Sequence, residues 1–553
     1  MESESAMQPV LNVEDIRAVE QRLADAGVSV SELMRRAGGA AAQEVLALED
    51  VRSVLVLAGF GNNGGDGWVA AEELRAAGVE VTVVCPCDPD ELHSDLARIV
   101  AKASVEAGVA FVAGPSRDEL EDLLDGCDTV LDAMLGTGMH DAPVAPFSIW
   151  IDAVNASAAR VVSVDVPSGL SAQTGHAPGS AVMADVTITM LALKPGLLSD
   201  DGRDLCGSIV VAPLAEQTRS LVVDADPVAW RCEPADYVDV LTPPSSTVDK
   251  YTRGSVLVVG GSVRFPGAAI MAARAAARAG AGYVTLAVPE PVANLCRTHL
   301  LEIPVVGLPA DPDGTIANEG RKQVADLAAR RSAVLVGPGM CVTGGTVGVV
   351  STLLGEDVPL VIDADGLNSL ARLTSNRVDE FPELLRRKAP LVLTPHRREL
   401  GRLVGLGDKA PDSLTSALEA ARRIVWSDGG SELVVVAKGN ATACVGVEAA
   451  LLPKPGPACL ATAGSGDVLA GIMCGLLARN GNDAEGLSML AALACEIHGC
   501  AASIAQERYG SRGVMAADII EAVGLAVDAV EDRAAFGDEA AGEDDAQAQG
   551  AHS

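Results

Sequence analysis

Thr462-Ala463-Gly464-Ser465-Gly466-Asp467 runs without interruption into the apolar Val468-Leu469-Ala470-Gly471-Ile472-Met473. Small residues let a backbone approach an anion closely. Val468, Leu469, Ile472, Met473 and Leu476 recur at helical spacing, so the free amides of a helix start should face whatever binds there. The string reads as an anion cradle that opens a helix. Asp467 is its odd member: a carboxylate beside phosphate is repelled unless it has a task, and taking the proton from a hydroxyl about to receive a phosphoryl group is such a task. In isolation, an aspartate capping a helix after a flexible loop reads the same way. The weight therefore falls on what surrounds it.

A chain of 553 residues exceeds what one core usually serves, and 49% hydrophobic residues can fill two. The long Ala-rich run at 268–281 is broken by Arg274 and Arg278, and no stretch reads as a membrane span. The opening Met1-Glu2-Ser3-Glu4-Ser5 has neither the positive nor the apolar region of a secretion signal, which predicts a cytosolic protein. Twelve cysteines are scattered without Cys-x-x-Cys pairs and read as small buried thiols. A formal charge of -34 excludes a broad polyanion-binding face, so nucleic acid is not an expected partner. A small anion remains admissible where local amides and a few lysines oppose the overall field.

Working outward, the first half begins with a helix pair marked by Ile16, Val19 and Leu23, then Leu33 and residues 40–48. A β-branched run at 51–57 ends in Gly59-Phe60-Gly61-Asn62-Asn63-Gly64-Gly65-Asp66-Gly67. Helix over 68–77 and strand over 79–85 complete a βαβ unit with a Gly-rich first turn. The glycines miss the G-x-G-x-x-G spacing, and two Asn and an Asp suit ligand recognition by side chains; a tight turn is the alternative. Further strands are expected at 109–112, 129–132, 160–165 and 186–190. Loops at 59–67, 132–142 and 165–170 should converge on one rim of an open α/β sheet. The pattern weakens from about 213 to 250, among Pro227, Pro234, Pro243 and Pro244. We place the domains at 10–222 and 250–532, a linker at 223–249, and an acidic disordered tail at 533–553.

A second alternation predicts strands at 255–259, 283–288, 333–336, 360–363, 390–394 and 432–437, with helix over 268–279 and helical pattern after Asp467 to about 529. Gly337-Pro338-Gly339-Met340, Asp363-Ala364-Asp365-Gly366, Thr394-Pro395-His396 and Lys438-Gly439-Asn440-Ala441-Thr442 each follow a predicted strand, and should face the anion cradle. A lysine, a threonine and a backbone loop suit the phosphates of an adenine nucleotide, with His396 and Glu399 toward a second substrate. No G-x-x-x-x-G-K-[ST] or H-E-x-x-H string occurs.

These motifs carry a resemblance. The second half resembles the ribokinase-like superfamily through Gly464-Ser465-Gly466-Asp467, and within it the NAD(P)H-hydrate dehydratases through the strings at 254–262, 266–269, 337–339, 394–396, 438–442 and 461–471. His396 stands where sugar kinases of the superfamily tend to carry Asn, while Cys341 and Ala463 stand where Gly is common. The first half resembles the NAD(P)H-hydrate epimerases through Leu33 to Gly38, Gly61 to Gly67, Asp132 to Gly138 and Asp165 to Leu170. The resemblance implies an N-terminal Rossmann-like α/β/α domain fused to a C-terminal ribokinase-like α/β/α domain, and a bifunctional repair enzyme. The first domain would interconvert the two epimers of hydrated NADH or NADPH. The second would dehydrate one epimer at the expense of ADP, releasing AMP and phosphate.

By the same resemblance Asp467 and Asp165 are catalytic, and Lys438, Gly439, Asn440, Ala441, Thr442 and Gly466 hold the nucleotide. Ala268, Gly339, His396 and Asp467 hold the hydrate in the dehydratase. Asn62, Asn63, Gly64, Gly65, Asp66, Gly136, Thr137, Gly138, Met139, His140, Asp141, Ala142 and Asp165 hold it in the epimerase. Asn63, Asp132 and Ser168 match the positions of a potassium site. Mg²⁺ is expected to bridge nucleotide phosphates, with Asp363 and Glu399 the side chains nearest that role, and the chain is expected to be a homo-oligomer. The opposing readings are a ribokinase-like vitamin kinase fused to a nucleotide-sensing module, and a first domain that only binds.

Overall fold

The computed structural model describes residues 7–241, 253–380, 382–407, 409–427, 432–480 and 486–536. The chain divides into two compact units, one built on Gln8–Val228 and one on residues from Ala229 onward.

The N-terminal unit is a seven-stranded sheet. Its strands are β1 (Ser53–Ala58), β2 (Glu80–Cys85), β3 (Ala110–Ala113), β4 (Thr129–Ala133), β5 (Arg160–Val164), β6 (Val186–Met190) and β7 (Ser208–Ala212), in the order 3-2-1-4-5-6-7. All neighbours are parallel. In β1, Val54 and Val56 enter one apolar cluster and Leu55 and Leu57 another, so both faces are covered. The strand order reverses between β1 and β4, which opens a crevice at their carboxyl ends.

Two expectations change here. Strand β7 was not anticipated, because its first four residues are not fully buried and its apolar run is short. The helix expected from residue 68 begins at Asn62 and runs to Ala76, absorbing the glycines into its first turns. They are there for packing: a Cβ on Gly64 would lie 2.1 Å from the Gly59 carbonyl oxygen, and one on Gly65 would lie 2.6 Å from Met34 Cε. From the facing helix, Val30–Ala47, a Cβ on Gly38 would meet Val69 at 2.4 Å.

The C-terminal unit holds β8 (Ala229–Arg231), β9 (Ser255–Val259), β10 (Tyr283–Pro289), β11 (Val305–Leu308), β12 (Ala333–Val336), β13 (Leu360–Ile362), β14 (Leu391–Leu393), β15 (Leu433–Ala437), β16 (Ala443–Val445) and β17 (Ala450–Leu452). They run in the order 8-17-16-15-14-13-12-9-10-11. Pairing is parallel except on either side of β16. Strands β8, β11, β16 and β17, of three or four residues each, were missed. The first of these lies inside the stretch assigned as linker, together with a helical turn at Pro234–Tyr237. Ala229, Cys232 and Tyr237 are buried there, so the prolines punctuate packed structure up to residue 241, and 242–252 lie outside the described residues.

Helices Pro266–Arg278 and Ser465–Asn480 pack through small residues: a Cβ on Gly471 would sit 2.3 Å from the Ala272 carbonyl oxygen. Helix Leu487–Tyr509 corrects the reading that no stretch could span a membrane, since by length and composition it could. The fold uses it as a core helix, with Leu490, Leu493 and Ile497 buried. The final helix, Ala516–Phe536, passes the expected end near 529 and takes in the start of the assigned tail. The rest of that tail, 537–553, is outside the described residues.

Candidate active sites

In the C-terminal unit the polar signatures stand at the carboxyl ends of parallel strands. Asp363 follows β13, Thr394 and His396 follow β14, and Lys438 follows β15. The Lys438 ammonium and the Thr394 hydroxyl both donate to Asp363 Oδ1 at 2.7 Å, and the Asp363 side chain is 2% exposed. Burial disfavours the Lys438 charge, but Asp363 and Glu399 outweigh it and raise the pKa, so the lysine stays cationic. A Cβ on Gly466 would lie 3.4 Å from its Nζ. The helix that carries Asp467 thus starts beside a fixed positive charge, and its free amides and that charge favour the same ligand, an anion.

Asp467 sits half-buried in the first turn of this helix. Burial first, and the negative charge of Asp363 second, push its pKa up to about 7, with Lys438 pulling the other way. Before it, Gly464 has φ +91°, and a Cβ would meet Met271 Cε at 2.6 Å. Ser465 Oγ lies 3.1 Å from His498 Nε2. Burial lowers His498 to about 4, so a neutral ring backs the cradle.

The opposite side is set by main chain. Gly337 has φ +129°, and a Cβ there would fall 1.8 Å from the Asp363 carbonyl oxygen. Ala268 and Gly339 adjoin, with a Cβ on Gly339 3.1 Å from that of Ala268. Cys341, in a place where Gly is common among the resembled proteins, has φ +60°, and its amide donates to Asp365 at 2.8 Å. His396 caps helix Arg397–Leu403: Nδ1 accepts the amides of Arg398 and Glu399 at 3.2 Å each, while Glu399 accepts the His396 amide at 2.9 Å. Burial raises Glu399 to about 7 and lowers His396. Gly439 to Thr442 form the turn between β15 and β16, where Asn440 Oδ1 accepts from Arg397 at 3.2 Å and Thr442 donates to the Gly439 carbonyl at 3.3 Å.

In the N-terminal unit a cleft of about 690 Å³ lies at the β1 and β4 ends. Phe60, Asn62, Asn63, Asp66, Met134 to Met139 and Asp165 line it, as the rim argument requires. Gly64 and Gly65 are buried in helix packing, and His140, Asp141 and Ala142 are not among its lining residues. Asp165, at φ +69°, accepts at 2.8 Å from Lys194, whose side chain is fully buried and donates also to Thr189 at 2.7 Å and the Met190 carbonyl at 3.2 Å. Asp132 is buried and accepts from Ser163, from the Ser168 amide and hydroxyl, and from the Met134 amide. Burial raises its pKa against those bonds. Asn63 Nδ2 is buried with no hydrogen-bond partner among the described residues.

Glu20, Lys194 and His498 were not anticipated. Lys194 interrupts an apolar run just past β6, and a lone lysine there marks a buried counter-charge. Glu20 borders the apolar stripe Ile16, Val19, Leu23 and looks like an ordinary solvated glutamate. His498 sits within a buried helix and gave no signal.

Two α/β units, each bringing carboxylates and a lysine paired with one of them to the ends of its strands, define an enzyme with two centres for small anionic ligands. Residues 256–524 match the family described as NAD(P)H-hydrate dehydratase, and residues 30–196 that described as YjeF-related protein N-terminus. The bifunctional NAD(P)H-hydrate repair enzyme Nnr of Salinibacter ruber is 35% identical over 545 residues, 94% of this chain and 96% of the relative. That of Escherichia coli K12 is 33% identical over 514 residues, 92% and 91% of the two chains. A Bacillus subtilis ADP/ATP-dependent NAD(P)H-hydrate dehydratase, co-crystallised with ATP/Mg²⁺, aligns with 54% of this chain and 98% of its own at 25% identity and TM-score 0.44. The chain belongs to the family of bifunctional NAD(P)H-hydrate repair enzymes.

Proposed function

We propose that the chain restores hydrated NADH and NADPH in two steps, epimer exchange in the N-terminal unit and nucleotide-driven dehydration in the C-terminal unit, with ADP as phosphoryl donor and AMP and phosphate as products. Hydroxide is a poor leaving group and phosphate a good one. The observation that carries this reading is Asp467, a carboxyl poised near neutrality on a helix start that faces the Lys438 ammonium. Such a group can take the proton of the ring hydroxyl as phosphate is transferred to it.

In this assignment the Ala463 to Gly466 amides stabilise charge on the transferring group. Lys438, the Gly439 to Thr442 turn and Gly466 hold the nucleotide, and Ala268, Gly339 and His396 seat the hydrate. Among the described residues no three His, Cys, Asp or Glu side chains converge as a metal cage. Asp363 is taken by Lys438 and Thr394, and Glu399 by its helix cap, so neither fits a protein-held Mg²⁺. That ion is assigned to the nucleotide's own phosphates.

In the N-terminal unit Asn63, Asp132 and Ser168 offer an amide, a hydroxyl and one carboxylate, and the orphaned Asn63 amide is what an oxygen-ligated monovalent cation would complete by turning its oxygen inward. K⁺ there would supply a local positive charge, and Asp165 serves as proton acceptor. We assign the protein to the cytosol, whose reducing conditions suit twelve free thiols, and to a homo-oligomer.

One incubation tests the whole: full-length protein, both NADH hydrate epimers and ADP, followed at the reduced-nicotinamide absorbance. Full recovery is expected, and Asp467→Asn should abolish it while epimer exchange continues. A phosphorylated product that accumulates without phosphate release would instead make this a kinase. Recovery stalling with one epimer left would reduce the first unit to a binding module. Epimer exchange that is equally fast in K⁺ and in a bulky organic cation would remove the cation assignment.

A further inference from the structure

The N-terminal cleft holds more carboxyl groups than dinucleotide binding explains. We propose that Asp66 is a catalytic acid working with Asp165, one carboxyl protonating the departing hydroxyl and the other taking a proton from the water that replaces it. This rests on the repair reading above and deepens it. Asp66 stands in the helix that opens at Asn62, half-buried in the cleft wall. Its side chain makes no hydrogen bond or ion pair with the described residues, whereas Asp165 in the same pocket is held by the buried Lys194. Of two carboxyls sharing a pocket, the one without a counter-charge keeps the proton. Burial raises the proton affinity of Asp66 well above that of an ordinary aspartate, and Asp165 and then Glu20 add to it. Arg17 and Glu20 on helix Val13–Asp25, and His93, are the other charged or titratable side chains on the cleft wall.

The chemistry needs such a pair. An enamine takes a proton at its far carbon, so the water of hydration adds to the carbon bonded to the ring nitrogen. For inversion, Asp66 gives its proton to that hydroxyl, and the C–O bond breaks with its electrons leaving on water. The nitrogen lone pair then closes a C=N⁺ bond. A second water attacks from the opposite face, its proton passes to the Asp165 carboxylate, and the C=N electrons return to nitrogen. The proton has moved from Asp66 to Asp165, so the reverse inversion uses the same two groups in exchanged roles. Solvent resets the pair through the open side of the cleft, where the exposed Glu20 lies.

The test uses full-length protein, each purified NADH hydrate epimer without ADP, and ¹⁸O-water. Wild type should gain one ¹⁸O per inversion. Asp66→Asn, which keeps the shape but carries no transferable proton, should lower kcat for exchange about 100-fold with KM within about threefold. Asp66→Glu should recover at least about tenfold of that loss. Asp66→Asn should leave ADP-dependent dehydration at its wild-type rate, which reports on the C-terminal unit, while its near-constant KM and the Asp66→Glu rescue show that the N-terminal unit is folded. Glu20→Gln should move the alkaline limb of the kcat profile to lower pH, because the acid loses a negative neighbour. A loss confined to KM, an unchanged kcat in Asp66→Asn, or inversion without ¹⁸O uptake would each overturn the assignment. A wild-type chain that dehydrates one epimer but never interconverts the two would overturn the epimerase reading itself, and this assignment with it.

Discussion

At the scale of single residues, the C-terminal site turns on how Asp467 shares its surroundings with Lys438. With Asp467 as the proposed base, dehydration requires it ionised, so kcat/KM should rise with pH through about 7. Lys438→Met removes the positive charge that lowers Asp467, so beyond weakening nucleotide binding it should shift this rise to higher pH. A shift to lower pH would show that Lys438 does not govern the carboxyl. Stability follows from the same groups. Asp467 and Glu399 rise from their ordinary values of 3.8 and 4.5 to about 7, so between those limits the native state holds more protons than the unfolded chain. Their contribution is present below about 4 and is lost as pH climbs through about 7. Asp467→Asn should flatten that slope in denaturant titrations of the C-terminal unit across this range.

Elements carry the next level. At Gly337 the left-handed φ and the Asp363 carbonyl leave no room for a Cβ. Gly337→Ala should therefore destabilise by roughly 3 kcal/mol or more and abolish dehydration, since the β13 end that bears Asp363 must shift. Urea unfolding and phosphate release measure both effects, and an unchanged midpoint would contradict the packing argument. Buried strands such as 255–259, 186–190 and 333–336 were legible in the sequence to the residue, because each is a run rich in apolar and β-branched residues. The three-residue strands β8, β16 and β17 carried too little pattern, whereas β13 and β14, equally short, were legible because each leads straight into a polar site motif. At the Asn62 helix start, glycine signalled a turn, while tertiary contact with Gly59 and Met34 made those glycines helical. The site motifs were legible because each stands in one unbroken string after a strand. Lys194 and Glu20 were not, since each reaches its pocket alone.

For the molecule as a whole, two centres on one chain are expected to act independently on a substrate that can diffuse between chains. Equimolar Asp165→Asn and Asp467→Asn proteins, mixed, should together recover both hydrate epimers to the wild-type extent, and a mixture that stops at one epimer would refute this. The net charge of -34 repels the anionic substrates at long range, while Lys438 and Lys194 attract only at contact. Raising ionic strength from about 0.01 to 0.15 M shortens the Debye length from about 30 to 8 Å. It should therefore raise kcat/KM severalfold, opposite to an electrostatically steered enzyme. A fall in stopped-flow capture of NADPH hydrate over that salt range would disprove it.

The cap formed by His396 narrows the choice of ligand. Main-chain N–H groups can only donate, so the two that meet Nδ1 pin the imidazole in one tautomer and leave a single hydrogen, on Nε2, for which a ligand competes with Glu399 Oε1, 3.4 Å away. Any molecule that docks there has to present a lone pair. A carboxamide oxygen satisfies the requirement, whereas an analogue offering only an N–H at that point leaves two donors face to face.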